Sequence, residues 1–115
     1  MMKLSEMTCE ACQADAPQLT DEQLAEGLAQ LSDWRCETID DVQQLHRSFS
    51  FDDFAYAFIF VAQVAEIAME HDHHPRILLE YGKVEVHWWT HKIKGLHQND
   101  LVMAAKTDQL LDANE

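Results

Sequence analysis

Ile77-Leu78-Leu79-Glu80-Tyr81-Gly82-Lys83-Val84-Glu85-Val86-His87-Trp88-Trp89-Thr90 is the stretch from which the fold of this chain is read. Ile77 to Tyr81 and Val84 to Thr90 are short runs rich in β-branched and aromatic residues. Between them Gly82-Lys83 marks a tight turn, with the glycine expected to supply a positive φ. Two antiparallel strands are predicted. Because side chains alternate along a strand, Val84, Val86, Trp88 and Thr90 share one face of the return strand, and Glu85, His87, Trp89 and His91 share the other. A sheet with one covered face satisfies that alternation.

Upstream, the same signals recur in order. Residues 1–18 are polar, end at Pro17 and show neither helical nor strand period, so they are expected to form a poorly ordered leader to a domain at 19–115. Thr20-Asp21-Glu22-Gln23 fits a capping box, with Leu19 and Leu24 at the positions of a hydrophobic staple. A first helix is predicted from Asp21, with Leu24, Leu28 and Leu31 inward and an end at Ser32-Asp33. Trp34 to Thr38 and Val42 to Ser50 read as a second hairpin about Ile39-Asp40-Asp41. A central helix follows from Phe51-Asp52-Asp53, capped by Ser50, with Phe51, Phe54, Phe58, Val61, Ala65 and Ala68 at helical spacing. Past Gly95, Asn99 or Asp100 caps a last helix that buries Leu101, Ala104, Ala105 and Leu111. The expected class is α+β, in the order α-β-β-α-β-β-α. A four-stranded antiparallel sheet would carry three helices on one face.

Bulk properties narrow the function. A chain of 115 residues is one domain with room for its own core. Eight Lys and Arg against 21 Asp and Glu, a formal charge of -13, oppose phosphate backbones and anionic lipid. Nucleic acid is not an expected direct partner. Met1-Met2-Lys3-Leu4-Ser5-Glu6 holds no apolar signal core, and no uninterrupted apolar run reaches the roughly 18 residues of a membrane span. A cytoplasmic protein is expected. Three cysteines do not pair off, and Cys9-Glu10-Ala11-Cys12 has no second half to complete a zinc site. Cys36 reads as a small strand residue.

The chemistry concentrates in Glu70-His71-Asp72-His73-His74-Pro75. Pro75 disfavours a helical His74, so the central helix should end at about Asp72 or His73 and leave the histidine pair on a helix-to-strand corner. His91, at the far end of the return strand, is expected to come back beside that corner. Imidazoles titrate near neutrality and suit proton transfer; with Asp72 or Glu70 they equally suit a zinc or iron centre. His46, His71, His87 and His97 read as surface or internally satisfied residues. Trp34, Trp88 and Trp89 read first as packing residues, with Trp89 also able to stack on a planar heterocycle beside His91.

Asp72-His73-His74-Pro75, followed after the hairpin by Thr90-His91, Lys94-Gly95-Leu96 and Asn99-Asp100, resembles the pterin-4a-carbinolamine dehydratase family, also known as the dimerisation cofactor of a hepatocyte transcription factor. The resemblance covers about residues 20–112, and the Cys9-x-x-Cys12 leader is similar to that of bacterial members linked to phenylalanine hydroxylase. It implies the same α+β fold and dehydration of 4a-hydroxytetrahydropterin to quinonoid dihydropterin, with pterin as substrate and no cofactor or metal. It implies that His73, His74 and His91 are catalytic, His73 and His91 exchanging protons while His74 positions the pterin. Asp72, Trp89, Thr90 and Lys92 would line the pocket with them. The implied partners are an aromatic amino acid hydroxylase, through the shared pterin, and further copies of the chain in a homodimer or homotetramer. An oligomeric binding or coregulator module is the alternative role that the family allows. Met69 with Glu70, Lys94-Gly95 and Ile77 depart from the family pattern at the rim of the site.

Overall fold

The computed structural model describes residues 18–113; residues 1–17 of the expected leader, with Cys9 and Cys12, lie outside them. The elements are α1 (Asp21–Ala29), β1 (Arg35–Ile39), β2 (Val42–Ser50), α2 (Phe54–Glu70), β3 (Arg76–Glu80), β4 (Lys83–Trp88) and α3 (Gln98–Ala113), with a short 3-10 turn at His91–Ile93. All four strands form one antiparallel sheet in the order β1-β2-β4-β3. Class and element order are as the sequence predicts. No helix among the described residues is long and apolar enough to cross a membrane.

Local chemistry sets most boundaries. Thr20 and Gln23 complete the capping box of α1, each side chain accepting from the other's backbone N–H at 3.1 and 2.9 Å. The helix stops at Ala29, short of the expected Ser32, and Leu31 is buried in the link that follows. Gly27 brings α1 against α3: a Cβ there would lie 2.5 Å from Leu101 Cδ1. Between β1 and β2, Asp40 and Asp41 both take positive φ, 51° and 66°, while Ile39 pairs with Val42. That is the two-residue loop whose twist matches a right-handed hairpin.

The hairpin of β3 and β4 turns differently from the sequence expectation. No described glycine has positive φ. Gly82 is required by close approach instead, since a Cβ would sit 2.8 Å from the Phe51 carbonyl oxygen and Phe51 N–H donates to Gly82 O at 2.8 Å. The return strand ends at Trp88, two residues early; Thr90 forms an isolated bridge with Gly95, and His91 opens the 3-10 turn.

The core lies between the sheet and the helices. Leu45, Phe49, Val84, Val86 and Trp88 face Phe60, Val64, Leu101, Val102 and Met103, all buried. Trp88 donates through Nε1 to Thr107 Oγ1 at 3.1 Å, and Trp34 Nε1 and Arg47 both donate to Asp108, at 2.9 and 2.7 Å. Burial raises the Cys36 thiol pKa, so it stays a neutral packing group. Two expectations for α2 fail. Its N-cap is Asp53, whose Oδ1 accepts from Tyr56 N–H at 2.9 Å, rather than Ser50. Its buried stripe is Ala57, Phe60, Val64 and Ala68, whereas Phe54 and Phe58 are about half exposed, at 47% and 56%. Apolar residues surround this helix, so more than one stripe has helical spacing; contact with the sheet selects between them.

Candidate active site

The corner at 70–75 is built by a helix stop that precedes Pro75. Asp72 adopts φ of 50°, His73 N–H donates to Ala68 O at 3.0 Å, and Asp72 N–H donates to Met69 O at 3.3 Å. These bonds form a Schellman motif, which caps the last carbonyls of α2 and turns the chain inward. The helix therefore ends at Glu70, two to three residues earlier than predicted. Pro75 then leads into β3. The turn sends His73 into the interior and leaves His74 outside: His73 is 4% exposed, and His74 is exposed.

His73 meets a partner that the sequence reading took as a cap candidate and as part of the family motif, but not as a site residue. Its Nε2 lies 2.7 Å from Asp100 Oδ1, and its ring stacks on Trp88 with centroids 5.8 Å apart. Asp100 is fully buried, and its Oδ2 accepts from Thr90 Oγ1 at 2.8 Å and from His97 N–H at 2.9 Å. A carboxylate oxygen accepts, so the His73 proton sits on Nε2 and Nδ1 carries the lone pair. The α3 start is fastened by the same group, with His97 Nδ1 accepting from Asn99 N–H at 3.0 Å. Three elements thus converge on one carboxylate: the α2 corner, the end of β4 and the first turn of α3.

His91 reaches the corner from the other side. Its Nε2 donates to the His74 carbonyl oxygen at 3.1 Å, and its ring stacks on Trp89 at 4.4 Å between centroids. Sequence spacing thus foresees that His73, His74 and His91 share one corner. Of the expected pocket residues, Trp89 is half-buried against His91, and Asp72 and Lys92 are exposed at the rim. Thr90 is fully buried and serves Asp100. Asp100 and Trp88 are the residues that sequence reasoning missed. The available signal was an acidic residue directly before Leu101-Val102-Met103-Ala104, all of which are buried: an ionisable group in such surroundings needs partners.

The remaining histidines divide. His97 and His87 are buried and hydrogen-bonded, which corrects a surface placement but agrees with internal satisfaction. Among the described residues, the group with metal-ligand spacing is His46, Glu85 and His87, on the face of β4 opposite Trp88. There His87 Nδ1 faces Gln44 Oε1 at 3.0 Å and Nε2 faces Glu85 Oε1 at 2.6 Å. The hydrogen bond from His87 holds the Glu85 carboxyl below the ordinary glutamate range. A cavity of about 410 Å³ opens beside it, lined by Asp33, Arg35, His46, Arg47 and Ser48. Neither His73 nor His91 lines that cavity, so it is not assigned to the chemistry of the corner.

A sequence model of the family described as pterin 4 alpha carbinolamine dehydratase matches residues 17–110. The chain is similar to a crystal structure of a transcriptional coactivator/pterin dehydratase from Brucella melitensis, at 36% identity and a TM-score of 0.74, over 82% of this chain and 98% of that one. It is also similar in fold to a pterin dehydratase-like protein identified as a RuBisCO assembly factor in the alpha-carboxysome, with 22% identity and a TM-score of 0.58, over 68% of this chain and 88% of the other.

Proposed function

Because this chain belongs to the pterin 4 alpha carbinolamine dehydratase family, we propose that it removes water from 4a-hydroxytetrahydropterin to give quinonoid dihydropterin. The substrate would come from an aromatic amino acid hydroxylase, whose tetrahydropterin is thereby recycled. The observation that carries this reading is the corner itself. One buried imidazole backed by Asp100 at 2.7 Å adjoins an exposed one held at 3.1 Å to the neighbouring His74 carbonyl.

The step needs one proton delivered to the C4a hydroxyl and one removed from N5. The C4a–O bond breaks, water leaves, and the nitrogen electron pair completes the C4a=N5 double bond, with no change of oxidation state. His73 and His91 are assigned these two transfers. Each has Nε2 facing an oxygen acceptor, which leaves Nδ1 to take up a proton in the neutral ring. A carboxylate behind an imidazole stabilises the cation formed when it does. His74, exposed at the same corner, is assigned to positioning the pterin with Asp72 and Lys92, while Trp89 offers an aromatic surface. The test is a stopped-flow assay of dehydration of synthetic 4a-hydroxytetrahydropterin, with and without chelator. Saturable acceleration in both supports the assignment, and the spontaneous rate in both rejects it.

The exposed side of α2 supports a second part of the reading. Phe54, Phe58, Ile59 and Met69 are 47%, 56%, 48% and 69% exposed, outside the buried stripe of Ala57, Phe60, Val64 and Ala68. An apolar helix face of this kind is covered most simply by the same face of another copy, in a homodimer or homotetramer. Phe58→Glu would bury a charge in that contact and is expected to reduce the mass measured by light scattering to that of the monomer. An unchanged assembly in the variant, or a monomeric parent chain, would reject this face as the contact.

A further inference from the structure

We propose that His46, Glu85 and His87, displayed on the side of the sheet opposite the helices, bind one divalent ion of the zinc class. Register puts them together. His46 and His87 are direct cross-strand partners on β2 and β4, and Glu85 lies two residues from His87 on the same face. The two rings stack with centroids 5.1 Å apart, and the candidate ligand atoms of all three residues lie within 4.8 Å of one another. Bonds of about 2.0–2.2 Å hold the ligand atoms of tetrahedral zinc roughly 3.3 Å apart. Side-chain rotation of the more accessible members, His46 and Glu85, whose side chains are 19% and 25% exposed, would bring in the longer separations and open the 2.6 Å contact of Glu85 with His87 to that spacing.

Hydrogen-bond accounting points the same way. His87 has acceptor oxygens at both ring nitrogens, Gln44 Oε1 at Nδ1 and Glu85 Oε1 at Nε2. A neutral imidazole owns one N–H and can serve only one of them. If Nδ1–H donates to Gln44, Nε2 keeps its lone pair beside Glu85 Oε1, a pairing that either a proton or a metal ion can bridge. A metal ion fills that role, and Gln44 then acts as the outer partner that fixes the tautomer of a ligating histidine. Glu37 Oε2, 2.8 Å from His46 Nε2, adds a second carboxylate and brings the local charge of two neutral imidazoles to that of a divalent ion's complement. Arg35 and Arg76 flank the row as cross-strand neighbours of His46 and His87. Their positive charge offsets part of that negative complement. The cavity beside His46 gives an ion access from solvent.

The test uses the full chain with Cys9→Ser and Cys12→Ser, stripped by chelator and titrated with zinc at about pH 8 against a chromophoric competitor. Cobalt absorption reports coordination geometry. One equivalent is expected to bind, with intense tetrahedral cobalt bands. His46→Gln and Glu85→Gln should each weaken binding at least tenfold, the order seen when even outer partners of a metal site are lost. His91→Gln should bind as the parent does, which separates this site from the pterin corner. His46 is partly exposed, so its variant should remain folded, as circular dichroism would record. Absence of saturable one-to-one binding, or equal affinity in His46→Gln, overturns the proposal.

Discussion

Asp100→Ala is expected to unfold at markedly lower denaturant than the parent, with a loss on the order of 3 kcal/mol or more, because it leaves three buried donors without their acceptor. The carboxylate is fully buried and accepts from His73, Thr90 and the His97 backbone at 2.7 to 2.9 Å. Without it, three donors remain in a space that water does not reach, and each unsatisfied group costs about 1–3 kcal/mol. Asp100→Asn separates structure from chemistry. Its amide oxygen can still serve Thr90 and His97, while its NH2 would face His73 Nε2 and favour the tautomer with the proton on Nδ1. Stability should then fall by less than in the alanine variant, but dehydration should fall roughly a hundredfold, the scale of a lost acid-base group. Urea titration and stopped-flow turnover of the two variants check this. Equal stability of Asp100→Ala and parent, or full turnover in Asp100→Asn, would contradict the assigned role.

His91→Ala is the cleaner change at the proposed reacting centre. Its side chain is exposed and makes one hydrogen bond, to the His74 carbonyl at 3.1 Å, besides its stack on Trp89. Exposed substitutions usually move stability by no more than about 0.5 kcal/mol, whereas removing a proton-transfer group typically costs 10²–10⁴-fold in rate. An unchanged melting transition with turnover reduced at least about a hundredfold is therefore expected. His73→Ala should lose both, since it strands Asp100 as well as removing an imidazole. A turnover in His91→Ala within a factor of about two of the parent would remove His91 from the mechanism.

What the sequence discloses depends on how local the physics is. The capping box at Thr20 and Gln23 spans four residues and is formed as expected, and the turn at Asp40-Asp41 is equally self-contained. The existence of each hairpin follows from alternation and a turn signal, but its register does not: Ile39 pairs with Val42 and Glu80 with Lys83, so the loops are Asp40-Asp41 and Tyr81-Gly82 rather than the expected Ile39-Asp40-Asp41 and Gly82-Lys83. The buried face of α2 does not follow either, because Phe54, Phe58 and Phe60 are alike in kind and only the position of the sheet distinguishes them. At the site, the approach of His91 to His74 follows from strand geometry, although His91 lies just beyond β4. Asp100 is not the expected N-cap: α3 begins at Gln98, and Asp100 lies in the first turn, where one oxygen accepts from the preceding His97 backbone. Its other oxygen bonds a histidine 27 residues earlier in the chain, a partnership that no local pattern encodes. The stacking of His46 on His87 likewise depends on the pairing of β2 with β4, whose register is set by the assembled sheet.

The dehydratase assignment is tested most directly by the rate at which the purified chain converts synthetic 4a-hydroxytetrahydropterin to quinonoid dihydropterin in the presence of a metal chelator. The account predicts saturable acceleration over the spontaneous reaction, retained in chelator and lost on His91→Ala. A parent chain that leaves the spontaneous rate unchanged would contradict it.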